Sequence, residues 1–244
     1  PILVEPNKQT YNIDITKIES AITSKTKAIL AVNLYGQAAE LDKINIICKK
    51  NNLYLIEDNA QSLGALCKNK LTGSYGIING TSFYPGKNLG ALGDAGAITT
   101  NNKALYESCL MYRNYGSKVK YVHESLGVNS RLDEIQAAFL SVKLKHITTE
   151  IENRQAHAQF YLDELSGIND LVLPQLAKNC TSVYHLFVIR TARRNELQQY
   201  LHSNGIGTMI HYPIPPHLQT CYTTLKFKKG QLPITEEIAE TCLS

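Results

Sequence analysis

Short apolar runs alternate with a helical pattern along the N-terminal half of this chain. Residues 26–34 and 53–56 are runs of the strand type, and the second leads into an acidic pair. Between them, residues 40–52 carry apolar side chains at the spacing of one helix face. Residues 81–84 and 97–100 continue the strand pattern. This alternation predicts an α/β layer whose sheet is mainly parallel.

The C-terminal half has a different pattern. Residues 131–165 keep a near-helical period without Gly or Pro, which predicts one long helix or two abutting helices. Residues 182–191 and 207–212 are predicted strands on either side of a helix at 194–204, which Gly205 ends. We therefore expect three parts: a large α/β domain over 1–130, a connecting helical region over 131–168 and a smaller α+β domain over 169–244.

The composition excludes several classes of protein. The net charge is +4 and the basic residues do not cluster, so nothing indicates nucleic-acid binding. No apolar stretch approaches the roughly 18 residues that cross a bilayer. The six cysteines are far apart and lack metal-ligand spacing, which predicts free thiols in a cytoplasmic protein. The chain begins at Pro1 without Met and ends in a helical pattern, so both ends look cut.

The most informative segment is the glycine-rich stretch from Gly80 to Gly96. It contains five glycines and a single lysine, Lys87. A Gly-Lys pair first suggests a P-loop, but Thr81 stands where that pattern needs Gly, and Asn88 follows the lysine. The structural alternative is a surface lysine in a flexible loop. A lysine that follows a strand of an α/β sheet lies where ligand sites collect, which favours a functional role.

An acidic residue occupies the matching place after another predicted strand. Asp58 closely follows the apolar run at 53–56, and its structural alternative is the N-cap of a helix. Together, Asp58 and Lys87 are a pair that suits pyridoxal phosphate. The lysine amine bonds the cofactor aldehyde, and the acid keeps the ring nitrogen protonated so that the ring accepts electrons. A partly desolvated site lowers the pKa of the lysine, as this chemistry needs.

Longer motifs surround both residues and extend over nearly the whole chain. They are NLYGQ (33–37), EDNAQ (57–61), SFYPGKNLGALGDAGA (82–97), RNYGS (113–117), GVNSRLDEIQAA (127–138) and IHYPIPPH (210–217). In these motifs and their order the chain resembles the DegT/DnrJ family of nucleotide-sugar aminotransferases. The resemblance implies a dimeric pyridoxal-phosphate enzyme of the aspartate-aminotransferase-like fold (fold type I), with a three-layer, mainly parallel α/β sheet domain and a smaller α+β C-terminal domain.

The resemblance also implies roles for individual residues. Lys87 corresponds to the lysine that bonds the cofactor, and Asp58 corresponds to the acid on the ring nitrogen. Gln61 matches the side chain that meets the cofactor ring and its hydroxyl. Ser82 stands where the family holds the cofactor phosphate. Asn129 resembles the asparagine that reaches the phosphate from the other subunit, which implies an active site shared across a homodimer.

Three further residues lie where the family contacts the sugar, namely Tyr84, His211 and Tyr212. Each has a structural alternative, because Tyr84 can pack on a strand and the His-Tyr pair can lead into the following proline-rich turn. A metal site at His211 and His217 lacks a third ligand, so no metal is expected.

The implied reaction transfers an amino group, usually from L-glutamate, to the ketone of a nucleotide-linked sugar. The motifs are most similar to those of enzymes for dTDP-3-keto-6-deoxyhexoses, in deoxysugar and lipopolysaccharide or glycan biosynthesis. Three alternatives stay open: a dehydratase of the same family, which carries His at the lysine position, a regulatory protein on this scaffold and an inactive fragment. Intact Lys87, Asp58 and Gln61 argue against the first two. The chain departs from the family at Asn59 and Ser62, where small apolar residues are common, and it lacks the family's preceding phosphate-cradling segment.

Overall fold

The structure, a computed structural model, describes residues 1–244. The helices are α1 (Ile18–Ala21), α2 (Leu41–Lys50), α3 (Lys103–Tyr112), α4 (Glu134–Leu144), α5 (Ile147–Glu164), α6 (Arg194–Ser203) and α7 (Pro233–Thr241). The strands are β1 (Ala28–Val32), β2 (Tyr54–Asp58), β3 (Leu66–Cys67), β4 (Lys70–Leu71), β5 (Ile78–Ser82), β6 (Gly96–Thr99), β7 (Ser117–Val119), β8 (Val122–His123), β9 (Ile189–Arg190) and β10 (Cys242–Leu243). Short 3-10 helices cover Ile15–Lys17, Leu34–Gly36, Pro216–Leu218 and Thr220–Leu225.

Four strands form the central sheet, in the order β1-β2-β5-β6. β1, β2 and β5 run parallel, and β6 is an antiparallel edge strand beside β5. The mainly parallel sheet that the sequence predicts is therefore confirmed. Asp58, the last residue of β2, pairs with Val32 of β1 and Gly80 of β5. Asp58 thus lies at the carboxyl edge of the sheet, where α/β proteins place their ligands.

One face of the sheet packs on helix α2. Ile29 and Ala31 of β1 point to this face and are buried, together with Leu41 and Ile44 of the helix. This layer belongs to the main core cluster, which contains 13 buried residues. Each fully buried Leu or Ile side chain in it stabilises the fold by about 1.5–3 kcal/mol. Leu30 points to the opposite face and is 58% exposed. That face opens into a cleft whose far side is formed by α3.

The long helical pattern over 131–165 becomes two consecutive helices, α4 and α5. This is the second of the two arrangements that the sequence allows. Helix α6 ends at Ser203, and Gly205 follows with φ +78°, the left-handed conformation expected of a glycine that ends a helix.

The strand predicted over 182–191 is wrong for most of its length, because only β9 is regular. Before β9, the backbone N–H groups of Val183 and Leu186 donate to the carbonyl oxygens of Gly36 and Tyr35. The apolar run is buried against an irregular loop rather than against a strand, so no ladder forms.

The prediction for the C-terminal segment also needs correction. The strand expected over 207–212 is absent, since in this stretch only Met209 makes paired backbone hydrogen bonds, with Ser244. The helical pattern ends at Thr241, and β10 follows and pairs antiparallel with β9. Cys242 and Leu243 are buried there, which explains why the apolar pattern continues beyond the helix.

A second core cluster joins residues from distant parts of the chain. Tyr11 and Tyr35 pack with Val188, Ile238 and Cys242. The two tyrosine rings meet edge to face, with their centroids 5.5 Å apart. The domain limits expected at 130 and 168 stay a prediction. None of the helices combines the length and the apolar character that a bilayer span requires.

Candidate active site

The carboxyl end of β2 carries the predicted acid. Oδ1 of Asp58 accepts a hydrogen bond of 3.0 Å from the backbone N–H of Ala60. This bond closes a turn that no helix follows, so the alternative of a helix N-cap is wrong. The partly buried carboxylate lines a cleft of about 1070 Å³, which Ser82 and Tyr84 also line. Three of the predicted site residues therefore share one cleft.

Lys87 lies in the tight turn after β5. Its backbone N–H donates to the carbonyl oxygen of Tyr84 at 2.8 Å. Gly90 approaches Pro85 so closely that a Cβ on it would lie 2.3 Å from the Pro85 carbonyl oxygen. Leu89, which is 5% exposed, anchors the turn in the core. The glycine therefore permits a close backbone approach that holds Lys87 in place.

Lys87 lies close enough to Asp58 for their charges to interact. Burial lowers the pKa of Lys87, and the negative charge of Asp58 opposes this shift. Desolvation is the larger of the two effects, so the neutral amine forms more easily than at a solvent-exposed lysine. A neutral amine is both a nucleophile and a proton acceptor. The geometry supports the chemical pairing that the sequence predicts.

Gln61 connects the turn after Asp58 with the C-terminal part of the chain. Its Oε1 accepts from the backbone N–H of Tyr35 at 2.6 Å, and its Nε2 donates to the hydroxyl of Tyr212 at 3.1 Å. The Tyr35 hydroxyl donates to the carbonyl oxygen of His211. Gln61, His211 and Tyr212, which the sequence predicts from separate motifs, are thus joined in one hydrogen-bonded network.

Two histidines lie beside this network. Nδ1 of His211 is 2.6 Å from the Ser244 hydroxyl, and burial lowers the pKa of His211. Burial also lowers the pKa of His185, to about 4, and the positive charges of Lys87 and Arg154 act in the same direction. Nδ1 of His185 is buried without a hydrogen-bond partner in the chain. His185, which the sequence does not reveal, is therefore a neutral ring near Lys87 at neutral pH.

This pKa shift makes the protein less stable in acid. His185 has an ordinary pKa of 6.5 when unfolded, so between that pH and about 4 the unfolded chain binds a proton that the folded chain does not. Stability is therefore expected to fall as the pH falls through this window. Urea unfolding at about pH 7 and about pH 5 should show a smaller loss for His185→Asn than for the wild type. His202→Asn, an exposed control on α6, should lose as much as the wild type, and equal losses in all three proteins would contradict this account.

Glu57 is a further important residue that the sequence analysis misses. It is 1% exposed, and its carboxylate accepts from the backbone N–H groups of Gly73, Tyr75 and Gly76 at 2.7, 2.6 and 2.9 Å. Asn33 Nδ2 adds a fourth bond of 3.2 Å. These bonds fix the loop before β5 against β2 and so hold the strand end that carries the acid. The available signal was a charged residue on the buried face of an apolar strand.

Replacing Glu57 should therefore cost stability. Glu57→Ala leaves two buried N–H groups and one partly buried N–H group without acceptors, at about 1–3 kcal/mol each, so a loss of about 3 kcal/mol or more is expected. Glu57→Gln keeps the size and one acceptor oxygen and should lose less. Glu152→Ala, on an exposed position of α5, is the control and should change little. Urea unfolding measures all three, and a Glu57→Ala protein as stable as the control would contradict this role.

Asn59 and Ser62, the two residues that depart from the family motif, form a hydrogen bond with each other. Ser62 donates its hydroxyl hydrogen to Oδ1 of Asn59, and Nδ2 of Asn59 donates to the hydroxyl of Thr81 at 3.0 Å. Both residues are buried, and buried polar groups are tolerated when they are hydrogen-bonded. The departures therefore leave the Asp58 turn intact.

Residues 115–131 form an arm that carries exposed apolar side chains. β7 and β8 make a hairpin, where Tyr121 is 83% exposed, and Leu126 beyond it is 94% exposed. At the base of the arm the backbones of Gly116 and Gly127 lie in close contact. Only glycine permits this approach, because a Cβ on Gly127 would lie 2.1 Å from the Gly116 nitrogen. Within the chain, the Lys120 ammonium lies over the Tyr121 ring, 5.2 Å from its centroid, and the rest of this apolar surface is exposed.

Asn129 lies at the base of this arm. Its backbone bridges to Asn114, and its Oδ1 accepts from Arg131 Nε at 3.3 Å. Helix α4 begins only at Glu134, with Asp133 at its N-cap, so Asn129 does not cap this helix. Its role across a subunit interface stays a prediction.

The whole chain matches a single family description. The DegT/DnrJ/EryC1/StrS aminotransferase family matches residues 1–244, and the chain belongs to this family. It is 49% identical to a dTDP-3-amino-3,6-dideoxy-alpha-D-galactopyranose transaminase from Aneurinibacillus thermoaerophilus, over 100% of this chain and 66% of the relative. It is 46% identical to a "pleiotropic regulatory protein" from Geobacillus stearothermophilus, with the same two coverages of 100% and 66%. The chain thus spans about two thirds of the length of these relatives.

Solved structures have the same fold. The crystal structure of S. venezuelae DesV matches with a TM-score of 0.97 at 42% identity, over 100% of this chain and 66% of that chain. The structure of NtdA from Bacillus subtilis, which contains the cofactor PMP, matches with a TM-score of 0.90 at 35% identity, over 100% of this chain and 57% of that one. The predicted family and the aspartate-aminotransferase-like fold are confirmed.

Proposed function

We propose that the protein carrying this chain is a pyridoxal-phosphate-dependent nucleotide-sugar aminotransferase. The observation that carries the proposal is the placement of Asp58 at the carboxyl edge of the sheet, within the range of charge interaction of Lys87, whose pKa is lowered by burial. Membership of an aminotransferase family supports it. The PMP in the related NtdA structure supports the choice of cofactor.

The residues at the cleft fit this cofactor. Pyridoxal phosphate supplies an aldehyde that reacts with amines and a ring that takes up electron density. A partly desolvated amine suits the aldehyde, and a carboxylate suits a protonated ring nitrogen. Asp58 would hold the ring proton, Gln61 would contact the ring and its hydroxyl, and Ser82 would bind the phosphate.

Lys87 has a second task in this proposal, as a general base and acid. Its neutral Nζ takes the proton from the α-carbon of the amino donor. In the return half of the reaction the same nitrogen delivers a proton to the sugar carbon that receives the amine. The lowered pKa of Lys87 makes both transfers easier near neutral pH, because the amine is then less strongly held in its protonated form.

We propose a dTDP-linked 3-keto-6-deoxyhexose as the acceptor and L-glutamate as the donor. The name of the 49%-identical relative, a transaminase that forms a dTDP-3-amino-3,6-dideoxy sugar, supports the acceptor. Tyr84, which is 57% exposed at the cleft, and the His211-Tyr212 pair would contact the sugar. The donor follows from the family resemblance of the cofactor residues.

A coupled assay tests this proposal on protein expressed from its complete coding sequence. L-Glutamate and a dTDP-3-keto-6-deoxyhexose should give equal amounts of 2-oxoglutarate and dTDP-amino sugar. UDP-linked keto-sugars, L-glutamine and L-aspartate serve as comparison substrates. If no acceptor yields an amino sugar, the aminotransferase proposal fails. Turnover only with UDP-linked sugars would contradict the proposed dTDP nucleotide but not the proposed aminotransferase activity.

A regulatory protein is the second candidate, because the relative from Geobacillus stearothermophilus bears such a name. A protein that only senses a ligand needs no reactive lysine, so the partly buried Lys87, with its lowered pKa, favours the enzyme. A dehydratase of this family carries His at this position, and Lys87 argues against it as well. The same assay separates these candidates, since each predicts no amino-sugar product.

We also propose that the active unit is a homodimer in which Asn129 serves the partner's site. The exposed Tyr121 and Leu126 on the arm support this, since a two-fold interface would bury both copies of such a patch. The expected test mixes two inactive proteins, Lys87→Ala and Asn129→Asp. A shared site regains one complete copy in each mixed dimer, so activity should rise to roughly a quarter of the wild-type level after random exchange.

The mixing experiment needs proof that subunits exchange. Differently tagged subunits that co-purify after mixing provide it. Mixing Lys87→Ala with Asp58→Asn is the matched control, because both residues then belong to the same chain's site and no complete site can form. Equal inactivity of both mixtures, despite exchange, would contradict the shared site.

A further inference from the structure

Two buried thiols face each other outside the cleft. Cys67 of β3 is 0% exposed, and Cys180, in the segment before β9, is 7% exposed. The two residues form an isolated antiparallel bridge. They belong to the main core cluster, and the proposed transamination uses neither of them.

The backbone hydrogen bonds around the bridge define its type. The N–H of Lys68 donates to the carbonyl oxygen of Asn179, and the N–H of Thr181 donates to that of Leu66, both at 2.8 Å. These bonds flank the two cysteines rather than joining them, so the cysteines occupy a non-hydrogen-bonded position. Cα atoms at such a position lie about 4.5 Å apart, and the side chains approach closely. A disulfide requires roughly 4.4–6.8 Å between Cα atoms, so the backbone is already within the range of a bond.

The surroundings of the two sulfur atoms support their pairing. Cys67 Sγ donates to Oδ1 of Asp42 at 3.4 Å, and Cys180 Sγ donates to the carbonyl oxygen of Ala39 at 3.5 Å. Burial raises the pKa of Cys180, and the neighbouring Cys67 raises it further, in keeping with the paired position of the two residues. Cys48, a buried cysteine of the same cluster, differs because burial alone raises its pKa, to about 11.

We propose that Cys67 and Cys180 form a disulfide when the protein meets hydrogen peroxide. One thiol loses its proton, and its thiolate attacks a peroxide oxygen so that the O–O bond breaks. A sulfenic acid forms, and the hydroxide that leaves takes up the proton to give water. The thiol of the other cysteine then attacks the sulfenic sulfur, the S–S bond forms and a second water leaves. Two thiols are oxidised by two electrons in total, and the peroxide is reduced to water.

The bond would fasten two parts of the structure that position the site. The β3–β4 hairpin follows the turn that carries Asp58 and Gln61. After Cys180 the chain continues through Val183 to His185, which lies near Lys87. The backbone N–H of Val183 donates a hydrogen bond to the carbonyl oxygen of Gly36. Because burial keeps the thiolate scarce, the reaction is slow and proceeds when the hairpin opens. We call this disulfide the staple, because its expected role is to stabilise the fold on oxidation rather than to sense peroxide rapidly.

Mass spectrometry tests the proposal directly on the native chain. The protein is treated with hydrogen peroxide, with the exposed Cys221 as an internal check of oxidation, until the number of free thiols no longer falls, and remaining thiols are then alkylated in denaturant. The expected product is a non-reduced peptide pair that joins Cys67 to Cys180 and disappears on reduction. Cys48→Ala should form the same linked pair, while Cys67→Ser and Cys180→Ser should each lose it. If Cys67 and Cys180 are both still alkylated once the loss of free thiols has stopped, or if they link to other cysteines, the proposal is overturned.

A second measurement covers the case in which a serine variant folds poorly. The staple closes a long loop, so the oxidised wild-type protein should melt several degrees higher than the reduced one. Cys48→Ala should show the same shift between its oxidised and reduced forms. An unchanged or lowered melting temperature in protein that contains the linked peptide would contradict a stapling role.

Discussion

Lys87→Ala is expected to abolish amino transfer. The variant loses the amine that bonds the cofactor and the base that moves the substrate proton. General acid–base catalysis alone contributes about 10²–10⁴-fold, so the combined loss should exceed about 10⁴-fold in kcat. Lys103→Ala, an exposed lysine at the start of α3, is the matched control and should retain wild-type turnover.

The fold should survive this change. Lys87 is only partly buried, and its turn is held by Leu89 and by the close approach of Gly90 rather than by the lysine side chain. Circular dichroism and the melting temperature should therefore match those of the wild type. A well-folded Lys87→Ala protein whose kcat falls by less than about 10²-fold would overturn the assignment of the lysine.

Asp58→Asn is the second substitution with a large expected effect. The amide has nearly the same shape but no negative charge, so it cannot hold the proton on the ring nitrogen. By comparison with the removal of a single electrostatic partner, kcat should fall by at least about 10²-fold. Asp58→Glu keeps the charge on a longer arm and should retain more activity than the amide, which separates loss of charge from loss of shape.

A structural role would give a different result. Oδ1 of Asp58 closes the turn to Ala60, and the side-chain oxygen of asparagine can accept the same bond. Asp58→Asn should therefore keep its stability while it loses activity. Asp163→Asn, at an exposed position of α5, is the control for charge removal. Near-wild-type kcat in Asp58→Asn would mean that the carboxylate serves only the turn.

The sheet could be predicted from the sequence because its strands are local and strongly patterned. β1, β2, β5 and β6 each lie within or beside a predicted run. The stretch over 182–191 has the same composition but contacts the loop at Tyr35 and Gly36, far away in the sequence. A run of β-branched and aromatic residues indicates that a segment is buried. It does not indicate whether that segment packs against a strand or against a loop.

The site, like the fold, has some residues that the sequence predicts and others that it does not. Asp58 ends β2 and Lys87 follows β5, two neighbouring strands of one sheet, so the sequence predicts that they lie near each other. The roles of Glu57 and His185 depend on the distant segments that contact them, Gly73 to Gly76 for the first and Lys87 with Arg154 for the second. Such contacts carry no local signature, and only the folded chain reveals them.

Covalent trapping of the cofactor on its lysine tests the central claim most directly. Protein expressed from its complete coding sequence is incubated with pyridoxal phosphate, reduced with borohydride, digested and examined by mass spectrometry. The account predicts one stable cofactor adduct, on the peptide that contains Lys87, and none on that peptide in Lys87→Ala. An adduct on another lysine, or no stable adduct in a folded protein, would contradict it.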